Sequence, residues 1–554
     1  VGGGTAMVQA TPGGADPFGT ARLRRGVLDA WAASPARFRE DANAEEDLAL
    51  GGYRDRLVVE LAQNAADAAA RAGVPGRLRL TFAPTGPTGS PHTGPTGPIG
   101  SAPTGSAANG PTGSALAAGG GPATLIASNT GAPLDAPGVE SLSTLRASAK
   151  RDDDPVAAVG RFGVGFAAVL AVSDEPAVVG RAGGVRWSLA EARELAREAA
   201  GAARAAEAGG AAARAAGAAD TAGAGPGEGL ADELRRRDGH VPLLRLPLPA
   251  EGTAPVGYDT AVVLPLRDGA AADLVARLLA GIDDALLLTL PGLDEVVVET
   301  PESVRTLTRH QEGLYVVIED REEHTVSGAA PRPDTAPRPH TAPRPDTAPQ
   351  SDTTLRSDTA PGSDAARWPA SAPLSASAPG AASAPVTRTT RWRTSAAGGA
   401  LDAALLADRP VEERLRPVWS VTWAVPVRGD EPLPGHGSEF RPVRGGEVPP
   451  VRDSEGERDG GDRRGAPARP ATAPVVHAPT PTDEPLDLPA LLIASFPLEP
   501  TRRHAAPGPL TDFLVERAAE AYVALVRDWR PVGTGTIDLV PGPLGKGELD
   551  GRLR

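Results

Sequence analysis

Apolar positions recur at helical spacing early in the chain, over 22–33 and again over 53–72, where Leu57, Leu61 and Ala65 fall one turn apart. A strand is expected at 77–82. From 84 to 121 the sequence repeats Pro-Thr-Gly and Gly-Ser units without apolar periodicity, so ordering it would cost entropy that no burial returns, and a disordered insert is expected. Glycine does not recur strictly every third residue there, which argues against collagen. Apolar patterning resumes with strands at 123–128 and 177–185, an alanine-rich helical stretch at 190–218, strands at 241–248 and 260–266, a helix at 271–287 and a strand at 295–299. Strands alternating with helices imply a layered structure of both element types.

Beyond residue 300 the pattern is more broken. A strand-rich extension is expected over 301–328. Over 329–388 the chain repeats a hexapeptide, clearest in Ala330-Pro331-Arg332-Pro333-Asp334-Thr335. Such a period can mark a β-helix, but Pro and polar residues stand where that coil would bury aliphatics, so a disordered linker is expected. A downstream α/β region is expected at 389–427 and 488–550, split by a Gly/Pro-rich disordered segment at 428–487. Its marks are a strand at 418–425, a strand at 491–496 and an amphipathic helix over 510–527.

Composition supports several unfolded stretches around at least two domains: 66 Gly and 58 Pro accompany only 3% aromatic residues. Without cysteine the chain has no disulfide, thiolate nucleophile or cysteine-ligated metal site. A net charge of −14 gives no general attraction to nucleic acid or anionic membrane, and no apolar run approaches a membrane span. The expected setting is therefore cytoplasmic, with neither nucleic acid nor membrane as partner. Beginning at Val1 rather than Met, the sequence reads as a piece of a longer protein.

Three segments carry candidate chemistry. In the 53–72 helix, Glu60, Asn64 and Asp67 share one face at i, i+4 and i+7, although a solvated polar stripe has the same spacing. At a strand end, Asn129-Thr130-Gly131 pairs a side-chain acceptor with a glycine that lets a flat ligand approach the backbone, or forms a plain turn. Gly160-Arg161-Phe162-Gly163-Val164-Gly165-Phe166 precedes an apolar helix and can offer backbone N–H groups to phosphate. It is not a Walker A loop, because no Lys-Ser/Thr follows. A later strand closes the set at Asp259-Thr260-Ala261-Val262.

In order and spacing these segments resemble the GHKL, or Bergerat-fold, ATPases, most closely the sacsin repeats and the N-terminal domain of heat-shock protein 90. Glu60…Asn64…Asp67-Ala68 is similar to their N-box. Ser148-Ala149-Lys150, Asp154-Pro155, the 160–166 glycine segment and Ser173-Asp174-Glu175-Pro176 follow the sacsin pattern. The resemblance covers about 54–266, less the inserts. It implies an α+β fold, a Bergerat-type sandwich in which helices cover a mixed sheet, over 16–300, with the second, smaller α/β region downstream and an Ala/Gly-rich segment at 198–238.

The same resemblance implies ATP and Mg²⁺ as ligands. Glu60 would be the general base, and Asn64 would complete the Mg²⁺ shell. Asn129 stands where most of the family has an Asp that accepts from the adenine amino group, so that contact would lack charge assistance. Gly131 would admit the adenine, and Gly160, Gly163, Val164, Gly165 and Phe166 would form the phosphate loop. Thr260 would assist at the base, and Lys150 would lie on a mobile lid from which it approaches the phosphates on closure, or is a solvated lysine. Arg502 and Arg503 are candidates for a downstream basic residue reaching the γ-phosphate, or are surface arginines. The implied activity is Mg²⁺-dependent ATP hydrolysis driving chaperone-like conformational change on protein clients, in a chain capable of homodimerising. The alternative is a nucleotide-gated binding scaffold with little hydrolysis. A sensor kinase would need a phosphoacceptor His upstream, and no His precedes Glu60. The His residues show no metal-ligand spacing and accompany no nucleophile motif.

Overall fold

The computed structural model describes residues 9–10, 16–50, 54–84, 122–143, 165–215, 229–324, 385–415, 417–428, 466–478, 480–499, 501–530 and 534–554. Apart from their ends, the inserts expected at 84–121 and 329–388 lie outside these residues, as do Lys150, Gly160, Gly163 and Val164.

Helices α1 (Thr20–Ala33), α2 (Pro35–Leu50) and α3 (Leu57–Ala72) open the fold. The Asp16 carboxylate accepts the N–H groups of Thr20 and Ala21 at 2.9 Å each and so closes the start of α1. Sequence periodicity does not reveal α2, because its inward face mixes Phe38 and Ala42 with two carboxylates, Asp41 and Glu45. Those acids are paired rather than solvated. Asp41 accepts from Trp31 Nε1 at 2.9 Å and from Arg245 at 2.7 Å. Glu45 accepts the N–H groups of Leu243 and Leu244.

The strand expected at 241–248 is mostly a loop, since its N–H groups are spent on Glu45 instead of on a neighbouring strand. Burial pushes the Glu45 carboxyl up to about 7, against the pull of those two N–H groups and of Arg245. An unfolded Glu ionises near 4.5. Between those values only the folded chain keeps the proton, so this carboxyl favours folding at low pH and loses that contribution as pH rises from about 4.5 to about 7. The loss is on the order of 3 kcal/mol. Melting curves from pH 5 to 8 should therefore show a fall in stability that flattens in Glu45→Gln; an unchanged slope in that variant would remove Glu45 as the cause.

Fifteen strands among the described residues form one mixed sheet. In chain order they are β1 (Gln9–Ala10), β2 (Arg77–Ala83), β3 (Thr124–Asn129), β4 (Ala177–Gly180), β5 (Gly183–Arg186), β6 (Leu248–Glu251), β7 (Thr260–Pro265), β8 (Glu295–Glu299), β9 (Ser303–Glu312), β10 (Tyr315–His324), β11 (Val386–Ala400), β12 (Val418–Val427), β13 (Val475–Ala478), β14 (Thr480–Pro485) and β15 (Leu491–Ala494). Their order across the sheet is β1-β6-β5-β4-β7-β3-β2-β8-β9-β10-β11-β12-β15-β13-β14. Only β2 with β8 and β13 with β15 run parallel among these pairs. The single strand expected at 177–185 is the hairpin β4–β5, turned through Arg181 and Ala182, after which Gly183 opens β5 with a φ of 118° that suits glycine.

The remaining helices are α4 (Ala136–Ser143), α5 (Leu189–Ala215), α6 (Leu230–Arg236), α7 (Gly269–Ala280), α8 (Asp284–Thr289), α9 (Val411–Arg414), α10 (Pro509–Arg527) and α11 (Glu548–Leu553). One helix was expected at 271–287. The chain instead stops α7 at Gly281 and restarts, because the Asp283 carboxylate accepts Ala285 N–H at 3.0 Å and caps a separate α8. The segment 428–487, expected to lack structure, supplies β13 and β14. Their short, proline-interrupted runs carry too little pattern to register as strands, and pairing with β15 supplies what the local sequence does not.

Period-two alternation divides the packing between the faces of the sheet. Leu125 and Ala127 of β3 and Leu264 of β7 join α3 in the main core, while Ile126, Ala261 and Val263 point the other way. At the far end Val421, Trp423 and Val425 of β12 pack with Leu514, Ala518 and Tyr522 of α10 in a second core, and Ala424 turns to the main one. Trp423 Nε1 also donates to Ala518 O at 2.8 Å.

Candidate functional site

Helix α3 is buried on nearly every side, and its many alanines let the sheet approach closely. It ends where Gly73, at φ 62°, closes the last turn through its N–H on the carbonyls of Ala69 and Ala70. Glu60 and Asn64 sit one turn apart on it, Glu60 only 4% exposed.

Beside α3 the alternation of β3 puts Asn129 on the same face as Leu125 and Ala127, and its register partner on β7 is Thr260. Asn129 O accepts Asp259 N–H at 2.9 Å. The Asp259 carboxylate, ion-paired with Arg181, accepts Gly131 N–H at 2.8 Å. Gly131 has φ 128°, and a Cβ there would stand 2.3 Å from the carbonyl carbon of Ala68. The glycine is therefore what allows the turn to lie on the backbone of α3, where Ala132 N–H donates to Ala68 O at 2.8 Å.

These elements enclose a cavity of about 150 Å³. Asn64, Ala68 and Arg71 of α3 form one wall, Asn129, Val178, Thr260 and Val262 the sheet side, and Pro133 to Leu142 with Phe166 the rest. Four residues singled out in the sequence, from four separate segments, thus meet here: Asn64, Asn129, Phe166 and Thr260. Gly131 lies next to this group without lining the cavity. Arg71, at the end of α3, is a basic lining residue that the sequence motifs did not mark.

Glu60 lies to one side. Gly165 starts a 3₁₀ helix, Gly165–Ala171, and a Cβ on it would fall 2.1 Å from Glu60 Oε2, so any side chain here would have to displace the Glu60 carboxylate. Phe166 to Leu170 are all buried, and that uniform burial gave the stretch its helical, apolar look in the sequence.

The second feature at Glu60 comes from far along the chain. Leu498 and Ala505 are bridged, and Arg502 N–H donates to Glu499 O at 2.8 Å, so the described residues 498–499 and 501–505 turn back on themselves. The Arg502 side chain reaches Glu60 Oε1 at 3.2 Å, with both side chains largely buried, at 14% and 5% exposure. Arg503 does not point there; it pairs with Asp483 at 3.1 Å with about half of its side chain exposed. Of the two candidate arginines, the structure brings Arg502 to the site helix.

Among the described residues no group of His and acidic side chains is arranged to hold a metal ion. Any cation here would rely on Asn64 together with the ligand's own oxygens. Among the described residues, no helix is long and apolar enough to cross a membrane.

The chain matches no known family model, and a comparison with curated proteins finds no match either.

Proposed function

We propose that the cavity between α3 and the sheet binds ATP with Mg²⁺, that Glu60 is the base for its hydrolysis, and that the sheet with α3 over it is a Bergerat-type nucleotide domain. The observation that carries this reading is the meeting of Asn64, Asn129, Phe166 and Thr260 in one cavity, with Glu60 one helical turn from Asn64. The amide of Asn129 donates from Nδ2 to Thr130 O at 3.1 Å, which leaves Oδ1 as the acceptor for an adenine amino group. Asn64, which lines the cavity, would offer its side-chain oxygen to the cation. Mg²⁺, when bound, neutralises phosphate charge and orients the phosphates.

Glu60 would take the proton of the attacking water, and its engagement with Arg502 bears on when it can do so. A carboxylate already accepting from a guanidinium is a poorer proton acceptor than one released from it. A terminal phosphate is a competing anion for Arg502, so the arrival of a triphosphate would both hold the ligand and free the base. The link from Glu60 to a loop of the downstream region also supports conformational coupling to other parts of the chain and, through them, to protein clients.

The direct test is calorimetric titration of the chain with ATP, with and without Mg²⁺. Saturable, Mg²⁺-strengthened binding near one equivalent is expected. Absence of binding at millimolar ATP would overturn the reading, and binding without turnover would favour the nucleotide-gated scaffold.

A further inference from the structure

Arg56 is the one strongly basic side chain buried at the start of α3 that the nucleotide reading does not use. It is 6% exposed and lies one helical turn before Glu60. Its guanidinium crosses to the downstream region: Nη1 donates to Thr480 Oγ1 at 2.8 Å, and Nη2 donates to Pro481 O at 2.9 Å and to Arg502 O. These acceptors lie on β14 and in the loop that carries Arg502. Arg502 itself has φ 54°, a left-handed backbone that a branched or long side chain adopts only when its surroundings impose it.

The loop is braced from the β14 side as well. Asp483 N–H donates to Arg503 O at 2.7 Å, and Ala505 N–H donates to Glu484 at 3.2 Å. Those contacts hold its outer part to β14. The Arg56 bond holds the carbonyl of the very residue whose side chain engages Glu60. Arg56 and Glu60 thus grip Arg502 at its two ends, one at the backbone and one at the guanidinium, from two positions on the same helix.

We propose that Arg56 is a positioning residue that couples α3 to the downstream region by holding Arg502 in its strained conformation, so that the Arg502 guanidinium is delivered to Glu60 and to a terminal phosphate placed beside it. This rests on the nucleotide-site reading for its catalytic consequence, while the mechanical coupling stands apart from it. A planar fork with several fixed donors suits the task, since it bonds three acceptors from two segments at once; a Lys ammonium has a different donor geometry and would not reproduce the set. Removing Arg56 should leave the cavity intact, because Arg56 does not line it, and should instead release the loop.

The test compares the full chain with Arg56→Met, Arg56→Lys, Arg502→Met and the Arg56→Met/Arg502→Met double variant. In hydrogen exchange without nucleotide, Arg56→Met is expected to raise exchange at 501–505 while 124–129 and 260–265 stay protected; unchanged protection at 501–505 would overturn the coupling. In single-turnover hydrolysis, Arg56→Met should lower the rate at least tenfold with ADP affinity held within about twofold, and Arg56→Lys should recover little of it. The double variant should be no slower than Arg502→Met alone, because one residue acts through the other. Multiplying rate losses, or a fall in ADP affinity equal to the fall in rate, would overturn the proposal. If Arg56→Met fails to fold, Thr480→Val, which removes one of the three acceptors, is read in the same two assays and should shift 501–505 in the same direction; no shift there overturns the coupling. A parent chain that binds no ATP would sink the nucleotide reading and leave the exchange result to decide the coupling by itself.

Discussion

Replacing Glu60 by Ala is expected to lower Mg²⁺-dependent ATP turnover by about 10²–10⁴-fold, the range over which a positioned base accelerates proton transfer. ATP affinity should stay close to that of the parent, because the cavity is lined by Asn64, Asn129, Phe166 and Thr260 and not by Glu60. The Ala variant also takes away the carboxylate that Arg502 engages at 3.2 Å, and leaving a buried guanidinium without it carries a stability cost of its own. Glu60→Gln separates the two effects. The amide has the same shape and keeps an oxygen for Arg502, yet it cannot take a proton, so the Gln variant should melt near the parent and turn over as slowly as the Ala variant. Steady-state phosphate release, measured beside thermal melting for all three proteins, reads both quantities. Turnover within about threefold of the parent in Glu60→Gln would remove Glu60 as the base.

The largest effect on stability is expected at Gly131. Substitution by Ala there meets two separate penalties. The backbone sits at φ 128°, where a Cβ is disfavoured, and the new atom would lie 2.3 Å from the carbonyl carbon of Ala68 and 2.5 Å from its oxygen. The neighbour is helix backbone rather than the end of a flexible side chain, so relief requires the 129–133 turn to lift off α3. Strain of about 1–3 kcal/mol and overpacking of about 1–3 kcal/mol together remove a large fraction of the about 5–15 kcal/mol margin of a typical domain. The Ala132 N–H bond to Ala68 O would also be lost. Gly26 provides the control: it lies within α1, and a Cβ there meets nothing within 4 Å. Gly26→Ala should be neutral or stabilising, as expected for Ala replacing Gly inside a helix. Urea midpoints of the two variants decide the matter, and a Gly131→Ala midpoint equal to the parent's would show that the turn does not need glycine.

Where local pattern carries the information, sequence and structure agree closely. The α10 helix was legible because Leu510, Leu514, Ala518 and Leu525 repeat at helical spacing, and β12 because Val and Trp residues fill it. Glu60 and Asn64 could be placed on one helix from spacing alone, since 3.6 residues per turn leaves i and i+4 little choice. Asn129 and Thr260 could be seen as strand ends but not as register partners, because register depends on the whole antiparallel set β2-β3-β7-β4.

The sequence by itself determined several of the helices, most of the strands and the local setting of Asn64, Asn129, Phe166 and Thr260, because each follows from periodicity, turn residues and side-chain chemistry within a short window. Tertiary structure alone decided what those residues face. Arg56 bonds Thr480 across 424 positions of sequence, and Arg502 meets Glu60 across 442. The carboxylates of α2 are inward-facing only because Arg245, Trp31 and the 243–244 backbone come to meet them. A buried charge is stable only beside its partners, and nothing in the local pattern says where a guanidinium or a carboxylate will find them.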